Sequence, residues 1–505
     1  MITNTYASIK VQTSALHRAR VRSLLNRLDE KTFSCTAYDT AWVGRVMDAQ
    51  EGVRPAYPQT LEWLRRHQNA DGSWGSDIEF FHDRVISTLS AILTLAKAGN
   101  LTSDRDAVAR GERYLWRNFD QLANEENDTV AFELLLPMLV DEARKMHLDI
   151  PYALCEPYRK LRADKLSMIP PQMLYSRKVS STHSLEFMGK GLDLDLLAGL
   201  QEPNGSFGNS PSATAYVLSH CPENDAARIY LNEVLALDGG AAMPAHPVEV
   251  FNKSWVLYNI ELTGILNDFI LHARPHLDNL WQSWNEQRGV GFSRDYPVMD
   301  MDDTAVVAKL LKRAGYPVNP DVFLPYEKDT YFTCYTFERT PSIGANVHLL
   351  DTLSVFLSYE QRPRMVKKIL RFLRSVRKDD AYWLDKWHIS PYYITAHTII
   401  ALIGFDNEMA RDAVRWMLDT QRMDGSWGYF RPTCEETAYC LQALVSYHNQ
   451  VEPLDPCVID RAAEYLYQRY GKWDMPAMWI EKCLYTPPHI VESTILSALI
   501  MSVNI

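Results

Sequence analysis

Three aspartates, Asp300, Asp302 and Asp303, lie within four residues in the stretch PVMDMDDTA at 297–305. When carboxylates this close together are buried, mutual repulsion and loss of hydration raise the pKa of at least one of them. Such a cluster can keep one carboxylic acid protonated at neutral pH, as a general acid requires. In the alternative, purely structural interpretation, Asp302 and Asp303 only cap the following helix and favour its positive end.

The residues after this cluster predict the helix that positions it. Gly315, followed by Pro317, ends a run of apolar residues at helical spacing. The members of that run are Val306, Val307, Leu310, Leu311 and Ala314. The acidic cluster is therefore expected on a loop and on the first turn of a helix.

Composition limits the class of protein. The chain has 505 residues, of which 47% are hydrophobic and 23% charged, and a net charge of −11, which indicates several globular domains and argues against nucleic acid as the main partner. No apolar run reaches the roughly 18 residues of a membrane span, and residues 1–28 lack the apolar stretch of a signal peptide. The eight cysteines have no metal-binding spacing, so free thiols in a reducing compartment are expected. We expect a cytoplasmic, helix-rich protein.

An internal repeat indicates how the helices are arranged. The octapeptide QNADGSWG at 68–75 recurs as QRMDGSWG at 421–428, with a variant, QEPNGSFG, at 201–208 and a worn copy, QRGVGF, at 287–292. Each copy predicts the end of a helix, a tight turn and an aromatic residue, Phe292 in the worn copy, packed between helices. The two pairs of copies have nearly equal internal spacing. We therefore expect an all-α protein of two related α/α-barrel domains.

A second repeat separates structure from function within the acidic cluster. Segments of the form Asp/Glu-Thr-Ala open helices at 39–41, 303–305 and 436–438. Asp303 thus has structural counterparts in Asp39 and Glu436, whereas the pattern assigns none to Asp300 and Asp302. Since function is grafted onto structural templates, these two are the stronger functional candidates.

Together, these motifs resemble those of the class II diterpene cyclases over roughly residues 30–500. Asp300-Met301-Asp302-Asp303 matches the DxDD motif of that family, and SCTAYDTAW at 34–42 matches its SxYDTAW signature. The resemblance implies a γ domain, an α/α barrel at 33–245, and a β domain, an α/α barrel at 246–505 with DxDD, with the active site between them. It also implies an N-terminal helix at 8–32 that packs with the β domain. The extra α domain and transit peptide of plant members are not seen, which favours a bacterial enzyme.

The same resemblance implies the reaction and its acid. An alkene of geranylgeranyl diphosphate is protonated and cyclised to a bicyclic prenyl diphosphate of labdane, halimane or clerodane type, with the diphosphate retained. Asp302 matches the acid and Asp300 and Asp303 its tuning neighbours, while Ser342 and Asn346 match positions that hydrogen-bond the acid. Because an isolated alkene is a very weak base, the acid has to stay protonated and its departing charge has to be stabilised.

Several further side chains are candidates for substrate binding. Carbocations need a dry cavity lined by aromatic faces, and the candidates for that lining are Trp383, Trp387, Tyr392 and Tyr393. Lys386 and Lys482, in segments similar to those of the family, are candidates for binding the diphosphate.

An acidic stretch suggests a metal cofactor. The acidic, EDxxN-like patch of the family corresponds to NEEND at 124–128, which offers Glu125, Glu126 and Asp128 as ligands for Mg²⁺ on the diphosphate. The match is imperfect, and a solvated acidic loop is the alternative.

The stretch THSLE at 182–186 resembles the LHSLE stretch of plant copalyl diphosphate synthases. In those enzymes the histidine, with an asparagine beyond a Gly-Gly pair, holds the water that removes the final proton. His183 is present, but GGAAMP at 239–244 has no asparagine. The asparagine partner of the base is therefore missing or replaced. A weaker or displaced base leaves the carbocation time for hydride and methyl shifts, which makes a halimane or clerodane skeleton plausible. The alternative for His183 is a packed structural histidine.

Other protein classes are compatible with parts of the pattern. A squalene-hopene-type triterpene cyclase also combines DxDD with such repeats, but those chains are longer and carry a membrane-dipping segment. A glycosidase would take its acids from separate loops, and a non-catalytic α-helical repeat scaffold would not explain Asp300 and Asp302. The DDxxD and NSE-type motifs of class I chemistry are not found, so we expect the protein to work with a separate class I terpene synthase.

Overall fold

The described part of the chain is helical apart from one short hairpin and isolated β-bridges. The computed structural model describes residues 15–30, 33–48, 54–197 and 199–503. In the hairpin, β1 (Trp479–Ile480) pairs with the antiparallel β2 (Leu484–Tyr485), with Trp479 opposite Tyr485. Within these ranges, we find no helix that combines the length and the hydropathy needed to cross a membrane.

The N-terminal half forms a two-layered ring of helices. Its α-helices are α2 (Ala37–Gly44), α3 (Pro58–Arg66), α4 (Phe81–Ala98), α5 (Thr102–Asn118), α6 (Phe132–Lys145), α7 (Glu156–Met168), α8 (Pro211–His220) and α9 (Asp225–Leu237). The 3-10 segments are Phe119–Asn124, Tyr152–Cys155, Pro171–Met173, Ser180–Gly191 and Leu194–Leu196. Inner elements α2, α4, α6, the Ser180–Gly191 segment and α8 each contact the next, and α8 closes onto α2.

The C-terminal half closes in the same way. It contains α10 (Glu249–Leu262), α11 (Ile270–Ser283), α12 (Met301–Arg313), α13 (Ile343–Leu353), α14 (Arg362–Ser375), α15 (Pro391–Leu402), α16 (Asn407–Asp419), α17 (Cys434–Gln450), α18 (Pro456–Gln468) and α19 (Pro488–Ser502), with 3-10 segments at Leu266–Phe269 and Pro320–Tyr326. Helices α10, α12, α13, α15, α17 and α19 form the closed inner ring. The prediction of α/α barrels is confirmed.

Hydrophobic patterning decides which helices are inner and which are outer. The inner helix α15 is buried on nearly all sides. The outer helix α14 buries only one stripe, at Met365, Ile369, Phe372 and Leu373, and exposes its basic face. A stripe at three- and four-residue spacing is typical of a helix with one solvent face.

The described part of the 8–32 segment packs with the C-terminal half. Residues 15–25 form a helix, α1, and Val21, Leu24 and Leu25 belong to the core of the second barrel. Arg20 Nε lies 2.7 Å from Glu492 Oε1 on α19. Residues 8–14 and 31–32 lie outside the described part of the chain.

The repeated octapeptides form one kind of corner. In the copies at 68–75 and 421–428, the tryptophan Nε1 donates to a carbonyl ten residues earlier, at Leu64 or Met417. The backbone N of the same tryptophan donates to a threonine Oγ1 in the next helix. Trp383 makes the same two bonds, to Leu373 O and Thr395 Oγ1, so it is a further corner residue.

The worn copy uses a different residue from the one expected. Val290 N, and not a group of Phe292, donates to Thr304 Oγ1 at 3.0 Å. The aromatic position of this corner is therefore occupied by a valine. Phe292 does not take part in the corner, and it lines the cavity between the barrels.

The two hydrophobic cores meet in the chain close to the predicted boundary between residues 245 and 246, which stays a prediction. Ala242 belongs to the first core and Met243 to the second. A third, smaller apolar cluster joins the halves, with Ile78 and Phe80 packed against Ile389, Met478 and Ile480. The hairpin β1–β2 thus lies at the junction between the barrels.

Candidate active site

A cavity of about 520 Å³ lies between the two barrels, within the size range of small-molecule sites. The acidic cluster, the start of α6, α7 and the hairpin all contribute to its walls. Residues from both halves line it, so it exists only when the barrels are packed together. All three aspartates of the DxDD motif line it.

Asp300 is the N-cap residue of α12. Its Oδ1 accepts a hydrogen bond from the backbone N of Asp303 at 2.8 Å. Thr36 caps α2 and Thr433 caps α17 in the same way, through the N–H groups of Asp39 and Glu436. Asp300 therefore has structural counterparts, which corrects the interpretation from the repeat.

Asp302 has the least buried side chain of the three aspartates. It is 14% exposed, whereas Asp300 and Asp303 are almost fully buried. Burial raises the pKa of Asp300 to about 7, and the charge of Asp302 adds to this effect. Burial, followed by the two neighbouring carboxylates, raises the pKa of Asp303 well above its usual range. The two flanking acids are therefore favoured in their protonated forms.

The hydrogen-bond partner of Asp302 is a histidine that sequence reasoning missed. His348 Nδ1, on α13, makes a short hydrogen bond with Asp302 Oδ1. The other ring nitrogen of His348 lies 3.2 Å from Nδ1 of His397. Burial lowers the pKa of His397 well below its usual value. A buried imidazole pair therefore lies behind the exposed acid.

The expected hydrogen bonds from Ser342 and Asn346 to Asp302 are wrong. Ser342 caps α13 and accepts from Trp387 Nε1 at 3.0 Å, while Asn346 bonds both backbone polar groups of Phe332. Side chains two residues apart on a helix point in directions that differ by about 200°, so Asn346 and His348 face opposite sides of α13. The residue of α13 that contacts Asp302 is thus two positions beyond the expected Asn346.

A second carboxyl group, Asp385, lies beside Asp302. Its Oδ1 accepts from Gly344 N at 3.1 Å, and its Oδ2 has no hydrogen-bond partner among the described residues. A Cβ on Gly344 would lie 3.3 Å from Asp302 Oδ2 and 3.1 Å from Asp385 Oδ2. Glycine thus allows the two acids to approach. Burial and the Asp302 charge raise the pKa of Asp385.

The aromatic lining is only partly as predicted. Of the four predicted residues, Trp387 and Tyr393 line the cavity. Tyr392 itself is buried against Trp416, with ring centroids 5.0 Å apart, because adjacent helical residues differ by about 100° in direction. Trp383 is a corner residue of the core. The other Phe, Trp and Tyr residues that line the cavity are Phe33, Tyr158, Phe187, Phe251, Trp255, Phe292, Tyr296, Tyr335, Phe337, Trp479 and Tyr485.

Three basic side chains line the cavity. Lys386, as predicted, lines the cavity, and its Nζ donates to Glu338 Oε2 at 2.5 Å and Thr340 O at 2.8 Å. Lys165 on α7 and Arg339 also line it. Lys165 was missed because a lysine on an amphipathic helix resembles any solvated residue.

The assignment of Lys482 to the diphosphate is wrong. Its ammonium group is fully buried and donates to Glu186 Oε1 at 2.9 Å and to Ser210 Oγ and Ser212 Oγ at 2.7 Å each. An ammonium group has three hydrogens to donate, and all three are used. Lys482 anchors the hairpin in the first barrel.

The three predicted metal ligands all line the cavity, but each has partners. Glu125 caps α4, with Oε1 accepting from Phe81 N at 2.6 Å and Oε2 from His82 N at 3.0 Å. Glu126 pairs with Lys378 at 2.5 Å, and Asp128 with Arg339. In the described ranges, no group of three or more metal-binding side chains is arranged to hold an ion. Glu125 in particular does not fit a ligand role.

His183 lines the cavity on the side of the first barrel. Its Nδ1 lies 2.7 Å from Gly208 O and its Nε2 lies 2.5 Å from Glu481 Oε1. Glu481, in the turn of the hairpin, also lines the cavity. Sequence reasoning did not find Glu481, because it is 298 residues from His183.

Comparison with known proteins identifies the family. Residues 337–469 match the family described as the squalene-hopene cyclase C-terminal domain. The chain is 35% identical over 486 residues to the "Type B diterpene cyclase" of Mycobacterium tuberculosis, covering 92% of this chain and 95% of that protein. It is 32% identical to "Ent-copalyl diphosphate synthase 4" of Isodon rubescens over 74% of this chain and 46% of that protein, and so spans about half of this plant relative.

The solved structures agree with this result. The structure of "ent-Copalyl diphosphate synthase from Streptomyces platensis" superposes with a TM-score of 0.77 at 26% identity, covering 96% of this chain and 99% of that one. The non-catalytic scaffold is thereby excluded as an interpretation of the repeats. Because the chain is 35% identical to this bacterial cyclase over nearly the whole length of both proteins, it belongs to the type B, or class II, diterpene cyclases.

Proposed function

We propose that the protein protonates the terminal alkene of geranylgeranyl diphosphate with Asp302 and cyclises it to a bicyclic prenyl diphosphate. The observation that carries this proposal is the position of Asp302. Its partly exposed carboxyl group opens into the aromatic cavity, with His348 bonded behind it. Lys165, Lys386 and Arg339 on the same cavity wall suit a retained diphosphate.

The hydrogen-bond network supports Asp302 as a strong acid. When His397 Nδ1 donates to His348 Nε2, His348 Nδ1 carries a hydrogen and donates to Asp302 Oδ1. The acidic proton then lies on Oδ2. Transfer of that proton to the alkene leaves a carboxylate, and the hydrogen bond from His348 stabilises this charge as it forms. The electrons of the alkene form the new C–H bond, and the next alkene attacks the resulting cation.

The aromatic wall supports the cationic part of the reaction. Trp255, Trp387, Tyr393 and Trp479 line the cavity together with the acid. Their π faces attract positive charge and keep water from the cation. Their arrangement also limits how the isoprenoid chain folds before it is protonated.

We include Mg²⁺ in the proposal as a partner of the diphosphate. Mg²⁺ is usually bound by one or two carboxylates, substrate phosphates and water. Glu126 and Asp128, at the cavity wall, fit this limited role, while Glu125 is committed to capping α4. When bound, the ion would neutralise part of the diphosphate charge.

The product is a diphosphate of labdane, halimane or clerodane type, and a separate class I terpene synthase in the cytoplasm would consume it. A class I synthase ionises the diphosphate group of its substrate, so it needs a product in which that group is retained. We see no class I motif in the sequence.

The test is incubation of the purified protein with geranylgeranyl diphosphate and, separately, with squalene. After phosphatase treatment, mass spectrometry and NMR should identify a bicyclic diterpene alcohol from the first incubation and unchanged squalene from the second. Unconverted geranylgeranyl diphosphate would overturn the proposal. Cyclised squalene would instead assign the chain to triterpene chemistry.

A further inference from the structure

His183 and Glu481 share a proton across the junction of the two barrels. Gly208 O can only accept, so His183 Nδ1, 2.7 Å away, carries a hydrogen. Nε2 of the same ring lies 2.5 Å from Glu481 Oε1, a distance that requires a second hydrogen between them. The pair is therefore either an imidazolium with a carboxylate or an imidazole with a carboxylic acid.

The surroundings favour the carboxylate form of Glu481. Burial alone would raise the pKa of Glu481, but the nearby His183 and Lys482 charges outweigh it and lower the pKa below its ordinary value. The second carboxylate oxygen, Oε2, accepts from the backbone N of Lys482. Glu481 is thus an oriented carboxylate with a side chain only 13% exposed.

Glu481 also faces the reaction space. Both members of the pair line the cavity that contains Asp302, and the His183 ring lies edge-on to Phe292 and Tyr296, at centroid distances of 6.0 and 6.3 Å. The segment in which an asparagine was expected is used elsewhere, since Ala242 N donates to Thr40 Oγ1. A carboxylate therefore stands beside His183 in the cavity wall.

We propose that Glu481, oriented by His183, is the base that ends the cyclisation by removing a proton directly from the final carbocation. This inference rests on the proposed function. In the step, one C–H bond next to the cationic carbon breaks, its electron pair forms the C=C bond, and the proton moves to the Glu481 carboxylate. Because Asp302 supplied one proton and Glu481 removes one, the overall reaction is an isomerisation. His183 acts as a positioning residue.

A carboxylate base has a consequence for the product. Direct deprotonation gives an alkene, whereas water placed at the same point can also add to the cation and give an alcohol. Replacing Glu481 with a neutral side chain should therefore change the product more than the rate of substrate consumption. The protonation step at Asp302 does not use the pair.

The experiment compares Glu481→Gln with the wild-type protein on geranylgeranyl diphosphate in H₂¹⁸O. We expect substrate consumption to fall by no more than about fivefold, while the ratio of hydroxylated or isomeric products to the wild-type alkene rises at least about tenfold. ¹⁸O in the hydroxylated fraction would identify water capture. Glu481→Asp, which keeps the carboxylate, should retain mainly the wild-type alkene.

Control variants separate this role from a structural one. Glu492→Gln removes a buried carboxylate of α19 that pairs with Arg20 and Arg27 outside the cavity, and its product ratio should stay that of the wild type. His183→Ala should shift the product ratio in the same direction as Glu481→Gln, with little change in KM. If Glu481→Gln does not fold, Glu481→Ala, which leaves no unpaired amide, takes its place.

The outcomes distinguish the two proposals. If the wild-type protein does not consume geranylgeranyl diphosphate, the proposed function fails whatever the variants do. If it does, and the folded Glu481 variant forms the wild-type product at the wild-type ratio, the base assignment is overturned and the proposed function stands. An equal product change in Glu492→Gln would also overturn it.

Discussion

The first turns of α2 and α12 have the same construction in the two barrels, but only one of them presents an acid to the cavity. Thr36 caps α2 and bonds Asp39, and Asp300 caps α12 and bonds Asp303. The residue before the shared aspartate is Tyr38 in α2, whose hydroxyl donates to Glu186. In α12 it is Asp302. The two turns thus differ at the capping residue and at the residue before the shared aspartate, where only α12 carries an additional carboxyl group.

Burial of a carboxyl group is by itself not the sign of an acid catalyst. Burial raises the pKa of Asp39 to about 7, as it does for Asp300. Asp39 lies among Thr36, Cys483 and the Lys482 cluster and does not line the cavity, whereas Asp302 does. Access to the substrate, and a donor placed behind the carboxylate, distinguish the functional turn.

The largest expected effect is that of Asp302→Asn. The amide keeps the shape of the side chain but cannot deliver a proton, so turnover should fall by at least about 10³-fold. The same type of change at a buried aspartate of the other barrel, Asp39→Asn, should keep turnover within about threefold of wild type. Steady-state kinetics and circular dichroism on both variants check this, and normal cyclisation by folded Asp302→Asn would end the acid assignment.

The next effect should come from His348→Phe. The ring is replaced at similar volume, but the donor to the departing carboxylate is lost, so kcat should fall by about 10²-fold with little change in KM. His448→Phe, on α17 and outside the cavity lining, serves as the control. An unchanged kcat for His348→Phe would leave the imidazole pair with a packing role only.

Asp300→Thr converts the cap of α12 to the residue type found in α2 and α17. The capping bond can be kept, so at pH 4, close to the ordinary aspartate pKa of 3.8, the free energy of unfolding should change by no more than about 1 kcal/mol. Turnover should still fall by about tenfold or more, because the buried acid that tunes Asp302 is lost. Urea unfolding and kinetics on the same preparation test this, and full activity would show that Asp300 is only a cap.

The same variant should alter how stability depends on pH. Asp300 has a folded pKa of about 7, raised from 3.8, so between these values the folded state holds the proton more tightly than the unfolded state. Its contribution to stability is therefore present at low pH and is lost as the pH rises towards 7. The fall in unfolding free energy from pH 5 to pH 8 should be smaller in Asp300→Thr. An identical fall would contradict the buried, protonated state.

The smallest effect is expected at the wall contributed by the first barrel. Glu126→Ala and Asp128→Ala should raise the Mg²⁺ concentration needed for half-maximal activity by about fivefold, with turnover at saturating Mg²⁺ reduced less. Glu125→Ala should instead lower thermal stability, since it removes the cap of α4. Activity measured against Mg²⁺ concentration distinguishes a metal-binding role from a structural one. An unchanged Mg²⁺ dependence in both the Glu126 and the Asp128 variants would exclude this patch as the metal site.

Much of the fold and the position of the acidic cluster could be predicted from the sequence because both depend on local spacing. The repeated Gln…Trp octapeptides predicted helix corners that recur in both barrels, and apolar spacing predicted α12. The DxDD spacing placed three acids on one helix start, and Trp387 and Lys386 were found through the motifs around them. These features need only neighbours within a few turns of chain.

Features that depend on the direction of a side chain could not be predicted in this way. Tyr393 faces the cavity and Tyr392 does not, and His348 reaches Asp302 where Asn346 does not. A shift of one or two residues on a helix turns the side chain by about 100° or 200°, and spacing alone does not say which face meets the neighbouring element.

Long-range pairing decided the rest. Lys482 and Glu481 are adjacent in sequence. The ammonium group of Lys482 is buried and donates hydrogen bonds to the first barrel, whereas Glu481 lines the cavity with His183. The sequence determined that two barrels form and that one helix start carries acids. Only the packing of one barrel on the other decided which charges are neutralised at their junction and which face the cavity, because a buried charge is stable only beside a partner that the tertiary structure supplies.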